Sequence, residues 1–246
     1  MKSISIVLAS YNGERYIRTQ IMSILCQMKE TDELIITDDG SSDQTLKIIS
    51  EYTHDKRIFL YNGPHKGITK NFENGLIYTT NDIILFADQD DYWFNNKLEI
   101  IRGFFETHPD CWLVLHNQYI ATNEEIEKKQ YSTVYYDIRR IKHGLIYNIV
   151  YNGYYGCCMG ITKEFKKLLL PFPDNVKQHD QWISVVAEYY HKSIFLDEIL
   201  IAHRIHLSNY SKKGSFLSKT YIRYALIRSL VTKIKQIRST IQKEKN

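Results

Sequence analysis

Short runs of apolar, β-branched residues alternate with stretches of helical periodicity in the first half of the chain. The apolar runs are too short for helices and indicate buried strands at 3–9, 34–37, 57–61, 82–87 and 111–116. Between them, apolar residues recur every three or four positions and predict helices at 14–27, 43–52, 66–78 and 95–107. Strands that alternate with helices form βαβ units. The sequence therefore predicts an α/β fold with a mainly parallel sheet flanked by helices.

Polar turns follow three of these predicted strands. They occupy residues 10–13 after the first strand, 38–43 after the second and 88–91 after the fourth. In open α/β sheets, ligands bind just beyond the carboxyl ends of the strands. We therefore expect the three turns to converge on one binding crevice.

The turn after the fourth strand, Asp88-Gln89-Asp90-Asp91, holds three carboxylates within four residues. Such a cluster is destabilising unless a cation neutralises it, and hard oxygen ligands favour Mg²⁺ or Mn²⁺ with phosphates completing the shell. Alternatively, Asp91 caps the helix that follows, where its charge complements the helix dipole. One aspartate needs only that explanation, whereas three after a buried strand indicate a metal site.

The other two turns are less specific when each is taken alone. In the turn at 38–43, a carboxylate can accept the imide N–H of uracil or thymine, but Asp43 can equally serve as the cap of the next helix. Residues 10–12 alone indicate only a connection between a strand and a helix.

The alternation ends after about residue 118. Residues 121–140 are polar and aperiodic and predict a long loop, and the glycine-rich residues 153–160 predict a tight loop. A helix is expected at 180–190 and one or two strands at 193–203. A long amphipathic helix is predicted at 216–241, with its apolar positions at Leu217, Tyr221, Tyr224, Ile227, Val231, Ile234 and Ile241.

The charge distribution and the cysteine spacing indicate in which compartment the protein works and which kinds of site to expect. The net charge of +4 combines a basic tail, residues 211–246 with ten Lys or Arg and one acid, with a mildly acidic body. The four cysteines, two of them adjacent, show neither CxxC spacing nor a disulfide pattern, which indicates a reducing compartment and no cysteine-based zinc site. No apolar run has membrane-spanning length. We expect a cytoplasmic protein.

Taken together, the three turns and their strands resemble glycosyltransferase family 2. The segments that carry the resemblance are Ser5 to Asn12, Ile35 to Asp43 and Leu85 to Asp91, in that order. The resemblance covers residues 3–117 well and reaches about residue 210 more loosely. It implies an inverting enzyme with the Rossmann-like glycosyltransferase-A fold. The Asp-Gln-Asp-Asp variant, with His179-Asp180-Gln181-Trp182 downstream, is most similar to rhamnosyltransferase-type members of bacterial surface-polysaccharide pathways.

The resemblance implies roles for individual residues on the donor side. Asp90 would bind the metal that bridges the diphosphate, with His206 as a further ligand of the metal or diphosphate. Asp91 would lie close to the sugar or the metal. The residues expected to contact the nucleotide or the donor sugar are Ala9, Tyr11, Asn12, Asp39, Lys66, Asp88, Asp91 and Arg204. Surface exposure is the ordinary explanation for Lys66, Arg204 and His206.

On the acceptor side, Asp180 matches the catalytic base of the family, although alone it would be read as a helix cap. Gly156 and Cys157 match the acceptor-side loop, in which Cys158 replaces the usual threonine. Trp182 is a candidate for stacking on a sugar ring, but an aromatic residue at such a position also suits the core. The expected domains are a catalytic domain at 1–210, divided into a nucleotide-binding half (1–117) and an acceptor-binding half (118–210), and a basic amphipathic helical tail at 211–246.

The expected function is transfer of a sugar from dTDP-L-rhamnose or a UDP-hexose to an oligosaccharide or lipid-linked glycan, with Mn²⁺ or Mg²⁺ as cofactor. The alternative is a non-catalytic nucleotide- or glycan-binding module on the same fold. The basic tail suits either peripheral association with the inner face of an anionic membrane or packing on the body, and it carries no nucleic-acid-binding motif. An NAD-binding oxidoreductase is disfavoured because the first turn lacks GxGxxG.

Overall fold

The computed structural model describes residues 1–135, 144–206 and 216–244. The first half alternates strands and helices as predicted. Its elements are β1 (Ile4–Ser10), α1 (Ile17–Leu25), β2 (Glu33–Asp38), α2 (Thr45–Ser50), β3 (Ile58–Asn62), α3 (Ile68–Tyr78) and β4 (Ile83–Asp88). These four strands pair in parallel in the order β3-β2-β1-β4, which places their carboxyl ends on one edge of the sheet.

The second half is less regular than the first. Its strands are β5 (Tyr92–Trp93), β6 (Leu113–Ala121), β7 (Thr133–Val134), β8 (Met159–Thr162) and β9 (Ser193–Arg204). Its helices are α4 (Lys97–Thr107), α5 (Asn123–Lys128), α6 (Leu145–Tyr151), α7 (Lys163–Leu169), α8 (His179–Tyr189) and α9 (Phe216–Glu244), with a 3-10 turn at Gly156–Cys158.

One mixed sheet joins the two halves, in the order β3-β2-β1-β4-β8-β6-β9-β5, with β7 paired to β6. The predicted parallel pairing holds for β1 to β4, whereas β8 runs antiparallel to both β4 and β6. β8 pairs with the first three residues of β6, with Met159 opposite Leu115 and Ile161 opposite Leu113, so it runs toward the amino end of β6. β6 itself passes through the expected boundary at residue 117, so the division into two halves stays a prediction.

Two loop predictions were wrong in part. Residues 121–135 hold α5 and β7, and Thr122 and Glu125 form a reciprocal capping box at the start of α5. The remainder of that predicted loop, 136–143, lies outside the described residues. The predicted tight loop at 153–160 contains the 3-10 turn and the first residues of β8.

Side chains of the sheet alternate between two cores, one on each face. On one face, Ile6 and Leu8 of β1 pack with residues of α1, α2 and α4. On the other face, Val7 packs with residues of α3, α7, α8 and α9. Both faces of the sheet are therefore covered by helices, as an α/β fold requires. Within the described ranges, no helix has both the length and the apolar character needed to cross a bilayer.

The register predicted for the C-terminal helix differs from the observed one. Leu226, Leu230 and Ile234 of α9 are buried against the body, and only Ile234 of these was predicted as apolar-face. Tyr224 and Val231 from the predicted face point outward instead. The side chains at the other predicted apolar positions, Leu217, Tyr221 and Ile241, lie outside the described part of the structure. The difference arises because the neighbouring residues Ala225 and Ser229 complete the packed face.

Candidate active site

The loops after β1, β2 and β4 are joined to one another by hydrogen bonds. Gln89 in the loop after β4 accepts the backbone N–H of Tyr11 at 2.8 Å and donates to the Tyr11 carbonyl at 2.9 Å. Asn12 donates its backbone N–H to the Ser41 hydroxyl and accepts from the backbone of Ser42, each at 2.8 Å. The three turns therefore meet at one edge of the sheet, as expected, and a binding crevice between them stays a prediction.

The two adjacent aspartates after β2, Asp38 and Asp39, accept hydrogen bonds from different parts of the chain. Asp38 is buried and accepts hydrogen bonds from Ser10, Gly40 and Ser41, so its carboxylate stabilises the turn. Asp39 reaches across to the loop before α3 and accepts the backbone N–H groups of residues 66 and 67, at 3.2 and 2.7 Å. Asp39 thus connects the loop after β2 to the loop before α3.

The other residues expected on the nucleotide side lie around these loops. Ala9 is buried at the end of β1, where its backbone pairs with Asp88. Tyr11 is 56% exposed and Lys66 is also exposed. Asn12 adopts a left-handed conformation with φ 47°, which its short polar side chain tolerates. Their roles in nucleotide binding stay predictions.

Negative charge is concentrated at the end of β4. Burial raises the pKa of Asp88 well above its usual range, and the carboxylates of Asp91 and Asp90 raise it further. Burial and the Asp91 carboxylate also raise the pKa of Asp90, against the opposing effect of His206. Burial disfavours the charged forms of Asp88 and Asp90, and the neighbouring negative charges disfavour them further. A divalent cation would relieve this repulsion, so the cluster is suited to hold one.

The two residues expected to bind the metal are brought together. His206 lies two residues beyond β9, and its Nε2 is 2.8 Å from Asp90 Oδ2 in the loop after β4. Arg204 is buried, donates from Nε to the Asp90 carbonyl at 2.7 Å, and lies 4.5 Å from the centre of the Tyr16 ring. Its guanidinium supports the Asp90 loop in this arrangement, and an approach to phosphate stays a prediction.

Asp91 lies in a second cluster, with His203 and Cys157. Asp91 Oδ1 accepts from His203 Nδ1 at 2.8 Å and from the backbone N–H of Arg204 at 3.2 Å, and its Oδ2 is buried without a hydrogen-bond partner among the described residues. Burial lowers the pKa of His203, but the Asp91 carboxylate outweighs burial and raises that pKa to about 12.

Ligand atoms of Asp91, Cys157 and His203 lie within 4.8 Å of one another and can hold a metal ion. The cysteine spacing predicted no cysteine-based zinc site. That pattern detects only ligands that are neighbours in sequence, whereas these three residues are far apart along the chain. His203 was therefore missed as a member of the site. The available signal was the alternation of side chains along a strand. Because His203 and Arg204 are consecutive in β9, their side chains point to opposite faces and meet different partners.

A buried lysine, also missed from the sequence, lies beneath this cluster. Lys97 Nζ donates to the Cys157 carbonyl at 3.0 Å and lies 3.7 Å from the centre of the Trp93 ring. Burial lowers the pKa of Lys97 to about 8, against the opposing effect of nearby thiols and carboxylates. The signal in the sequence was its position on the same helical face as the apolar Ile101 and Phe105.

Asp180 lies in the first turn of α8. Its Oδ1 accepts the backbone N–H of Gln181 at 2.7 Å and the side-chain amide of Asn152 at 3.2 Å. Burial raises the pKa of Asp180 to about 6, although these hydrogen bonds favour the charged form. Asn152, which ends α6, was not predicted as a site residue.

The residues expected on the acceptor side have different surroundings. Gly156 packs directly against His179, since a Cβ at position 156 would lie 2.4 Å from His179 Nε2. The Cys157 side chain is buried beside Asp91. Trp182 is fully buried in the core and donates to the Leu169 carbonyl at 3.4 Å. Stacking of Trp182 on a sugar ring was therefore a wrong prediction, because helical spacing did not reveal that this side chain faces the sheet.

The family model described as Glycosyl transferase family 2 matches residues 5–169, more than half of the chain. The chain therefore belongs to glycosyltransferase family 2, and the resemblance read from its three turns is confirmed. The rhamnosyltransferase-like subgroup stays a prediction.

Curated relatives include UDP-Glc:alpha-D-GlcNAc-diphosphoundecaprenol beta-1,3-glucosyltransferase WfgD of Escherichia coli. It is 37% identical over 97 residues, which is 39% of this chain and 38% of the relative. An uncharacterized glycosyltransferase of Haemophilus influenzae is 40% identical over 101 residues, which is 40% of each chain. The chain thus spans about two fifths of the length of these relatives.

Solved structures of similar fold include S. aureus TarS 1-349 in complex with UDP, with a TM-score of 0.67 and 20% identity over 94% of this chain and 65% of that one. The mannosyltransferase PcManGT from Pyrobaculum calidifontis, solved with GDP-Man and Mn²⁺, gives a TM-score of 0.63 and 12% identity, covering 97% and 75%. At these identities the similarity concerns the fold, and the expected glycosyltransferase-A fold is confirmed.

Proposed function

We propose that this chain transfers a sugar, with inversion at the anomeric carbon, from a nucleotide-sugar donor to a glycan acceptor. One arrangement carries the proposal: Asp180, in the first turn of α8, lies near the carboxylate cluster after β4, and the loop of that cluster is one of the three joined loops. Burial, Asp91 and Asp90 raise the pKa of Asp88, and the charge of Asp180 adds to this effect. A candidate base and a candidate cation site therefore border the same space.

The donor is proposed to be a dTDP- or UDP-sugar, with dTDP-L-rhamnose and UDP-hexoses as the candidates. Ala9, Tyr11, Asn12 and Asp39 are proposed to contact the nucleobase and ribose, with Lys66 exposed on the loop that Asp39 binds. The E. coli relative is named as using UDP-Glc, and TarS 1-349 has been solved with UDP-GlcNAc. These names favour uracil or thymine over guanine, although PcManGT was solved with GDP-Man.

Mn²⁺ or Mg²⁺ is proposed as cofactor, held by Asp90 and His206 with Asp91 nearby. The site suits such an ion because Asp88 and Asp90 lie among other carboxylates and have raised pKa values. In addition, Asp91 Oδ2 is buried without a hydrogen-bond partner among the described residues. When bound, a divalent metal supplies positive charge for the diphosphate leaving group.

Asp180 is proposed to act as the general base. Its carboxylate takes the proton of the acceptor hydroxyl while the hydroxyl oxygen forms a bond to the anomeric carbon. The bond between that carbon and the diphosphate oxygen breaks, and the nucleoside diphosphate leaves with the bonding electrons. Asn152 and the backbone N–H of Gln181 hold the carboxylate in place during this step.

The acceptor is proposed to be an oligosaccharide or a lipid-linked glycan of the bacterial cell surface. The name of the E. coli relative, which includes a sugar on diphosphoundecaprenol, supports a lipid-linked acceptor. We place the protein in the cytoplasm, with peripheral association at the inner face of the membrane.

Thermal melting tests the donor site. The protein is melted with Mn²⁺ and UDP, dTDP, GDP or CDP, and compared with Asp90→Asn. A ligand at a hundred times its Kd stabilises a folded protein by about 2.7 kcal/mol, or about 5–10 °C for a chain of this size. We expect UDP or dTDP to raise the Tm only when both Mn²⁺ and Asp90 are present.

Asp110→Asn is the matched control, because Asp110 is exposed and precedes β6 at the opposite edge of the sheet. It should respond to nucleotide as the wild type does. No rise with any nucleotide at saturating concentration would contradict the donor site. A rise without sugar-nucleotide turnover, unchanged by Asp180→Asn, would instead indicate a non-catalytic binding module.

A further inference from the structure

Helix α9 presents two different faces. Its inner face is fixed to the body: Leu226 and Leu230 are buried, Lys233 Nζ donates to the Leu170 carbonyl at 2.8 Å, and Arg223 donates to the Val150 carbonyl at 2.8 Å. Tyr224, Ile227 and Val231 on its outer face are 63%, 44% and 46% exposed. Because these three residues are spaced by three and four positions, they form one apolar stripe.

Cations accompany this outer stripe. Arg228 follows Tyr224 by four positions and Lys235 follows Val231 by four, and both are exposed. The sequence from 211 to 243 contains basic residues and no acidic residue. A helix whose exposed face combines apolar residues with Lys and Arg matches an anionic lipid surface, where the apolar residues enter the headgroup region and the cations meet phosphate.

We propose that the outer face of α9, defined by Tyr224, Ile227, Arg228, Val231 and Lys235, docks the protein on an anionic membrane surface. A second copy of the chain is a poorer occupant, because a two-fold contact would bring this cationic face against itself. Nucleic acid is also poorer, because three exposed apolar residues at the centre of the face offer nothing to phosphate.

The docking face is linked to the candidate base through α6. The Val150 carbonyl of α6 accepts from Arg223 of α9, and two residues later Asn152 donates to Asp180. Ile146 and Tyr151 of α6 are also strongly exposed apolar residues. Resting on the proposed function, docking through α9 would bring the acceptor side of the site close to the surface that carries a lipid-linked glycan.

Vesicle cosedimentation of the full chain tests the docking, without nucleotide or metal. Vesicles of phosphatidylcholine alone are compared with vesicles that contain about a third phosphatidylglycerol. We expect binding to the anionic vesicles, release as the salt concentration rises, and little binding to phosphatidylcholine. Arg228→Gln combined with Lys235→Gln should weaken binding about 30-fold, at about one kcal/mol per charge. Ile227→Ser combined with Val231→Ser should also weaken it.

Matched controls are Lys47→Gln combined with Lys128→Gln, which removes the same charge from exposed sites on α2 and α5, and Ile77→Ser on α3. Both should bind as the wild type does. Equal binding to the two kinds of vesicle, or full binding by the α9 variants, would overturn the proposal. Sedimentation velocity tests whether a second copy of the chain occupies this face. A dimer that the α9 variants dissociate, together with no vesicle binding, would also overturn the proposal. Asp90→Asn should bind vesicles as the wild type does. Loss of vesicle docking can therefore be distinguished from loss of the proposed sugar transfer.

Discussion

Replacing Asn152 by glycine tests whether Asp180 is the group that titrates in catalysis. Asn152 is a suitable position because its side-chain amide donates to Asp180 Oδ1 at 3.2 Å. Its backbone is left-handed, with φ 47°, at the end of α6. Glycine adopts that conformation without steric cost, whereas alanine does not, so Asn152→Gly removes the amide and leaves the turn intact.

The expected shift follows from the hydrogen bond that is lost. Burial raises the pKa of Asp180 to about 6, and the Asn152 amide opposes burial by favouring the ionised carboxylate. Hydrogen bonds to charged groups contribute about 1.5–3 kcal/mol, and this one is long, so about 1.4 kcal/mol, or one pKa unit, is expected. The pKa of Asp180 should therefore rise further in the variant.

The assay is nucleotide release from a sugar nucleotide, with kcat/KM measured against pH. A general base acts when deprotonated, so kcat/KM of the wild type should fall as the pH drops through about 6. In Asn152→Gly this fall should begin about one pH unit higher, with a rate near that of the wild type at about pH 8 and about tenfold lower well below the midpoint. Asp180→Asn should lose the acid limb and about 10²–10⁴-fold in rate.

Asn175→Ala is the control for this experiment, because the Asn175 amide donates to the Ala225 carbonyl of α9 rather than to Asp180. Its acid limb should coincide with that of the wild type. An Asn152→Gly variant that melts normally and keeps the wild-type limb would refute the reasoning, and the titrating group would then be sought among the carboxylates that end β4.

Stability measurements offer further tests. Asp32→Ala should lower the free energy of unfolding by about 3–5 kcal/mol, because it leaves the buried Arg102 guanidinium, now 2.8 Å from Asp32, without its partner. Glu51→Ala breaks an ion pair at the surface and should have a far smaller effect in the same urea titration. Gly75→Ala in α3 should destabilise by about 1–3 kcal/mol, because its Cβ would lie 2.3 Å from a core methyl group. Gly103→Ala in α4 meets open space and should raise stability by about 1 kcal/mol.

The nucleotide-binding half of the fold was largely predictable from sequence. β1, β2 and β4 are short apolar runs buried on both faces, and their polar turns must meet because parallel strands end on one edge. The meeting of the loops after β1, β2 and β4 therefore needed no tertiary information. Family resemblance was needed only to suggest what these residues bind.

The second half was harder because its elements are short and its strand pairings are non-local. β8 has four residues and enters the sheet antiparallel, and neither fact leaves a periodic signal. The Thr122–Glu125 capping box was a legible local signal for α5 that was not used. Spacing along β9 and α4 could have indicated the faces on which His203 and Lys97 lie, but their partners, like the core position of Trp182, are set by tertiary packing.

The hydrogen bonds between Gln89 and Tyr11 have a consequence for how a ligand would be received. Gln89 spans the loops after β4 and β1 and fills space that a side chain at Gly13 would occupy, since a Cβ there would lie 2.2 Å from Gln89 Oε1. The loop that carries the carboxylate cluster and the loop beside the proposed nucleobase position are thus already immobilised relative to each other in the free protein. Their ordering entropy is lost during folding, so a ligand that touches both loops would keep more of its interaction free energy as affinity.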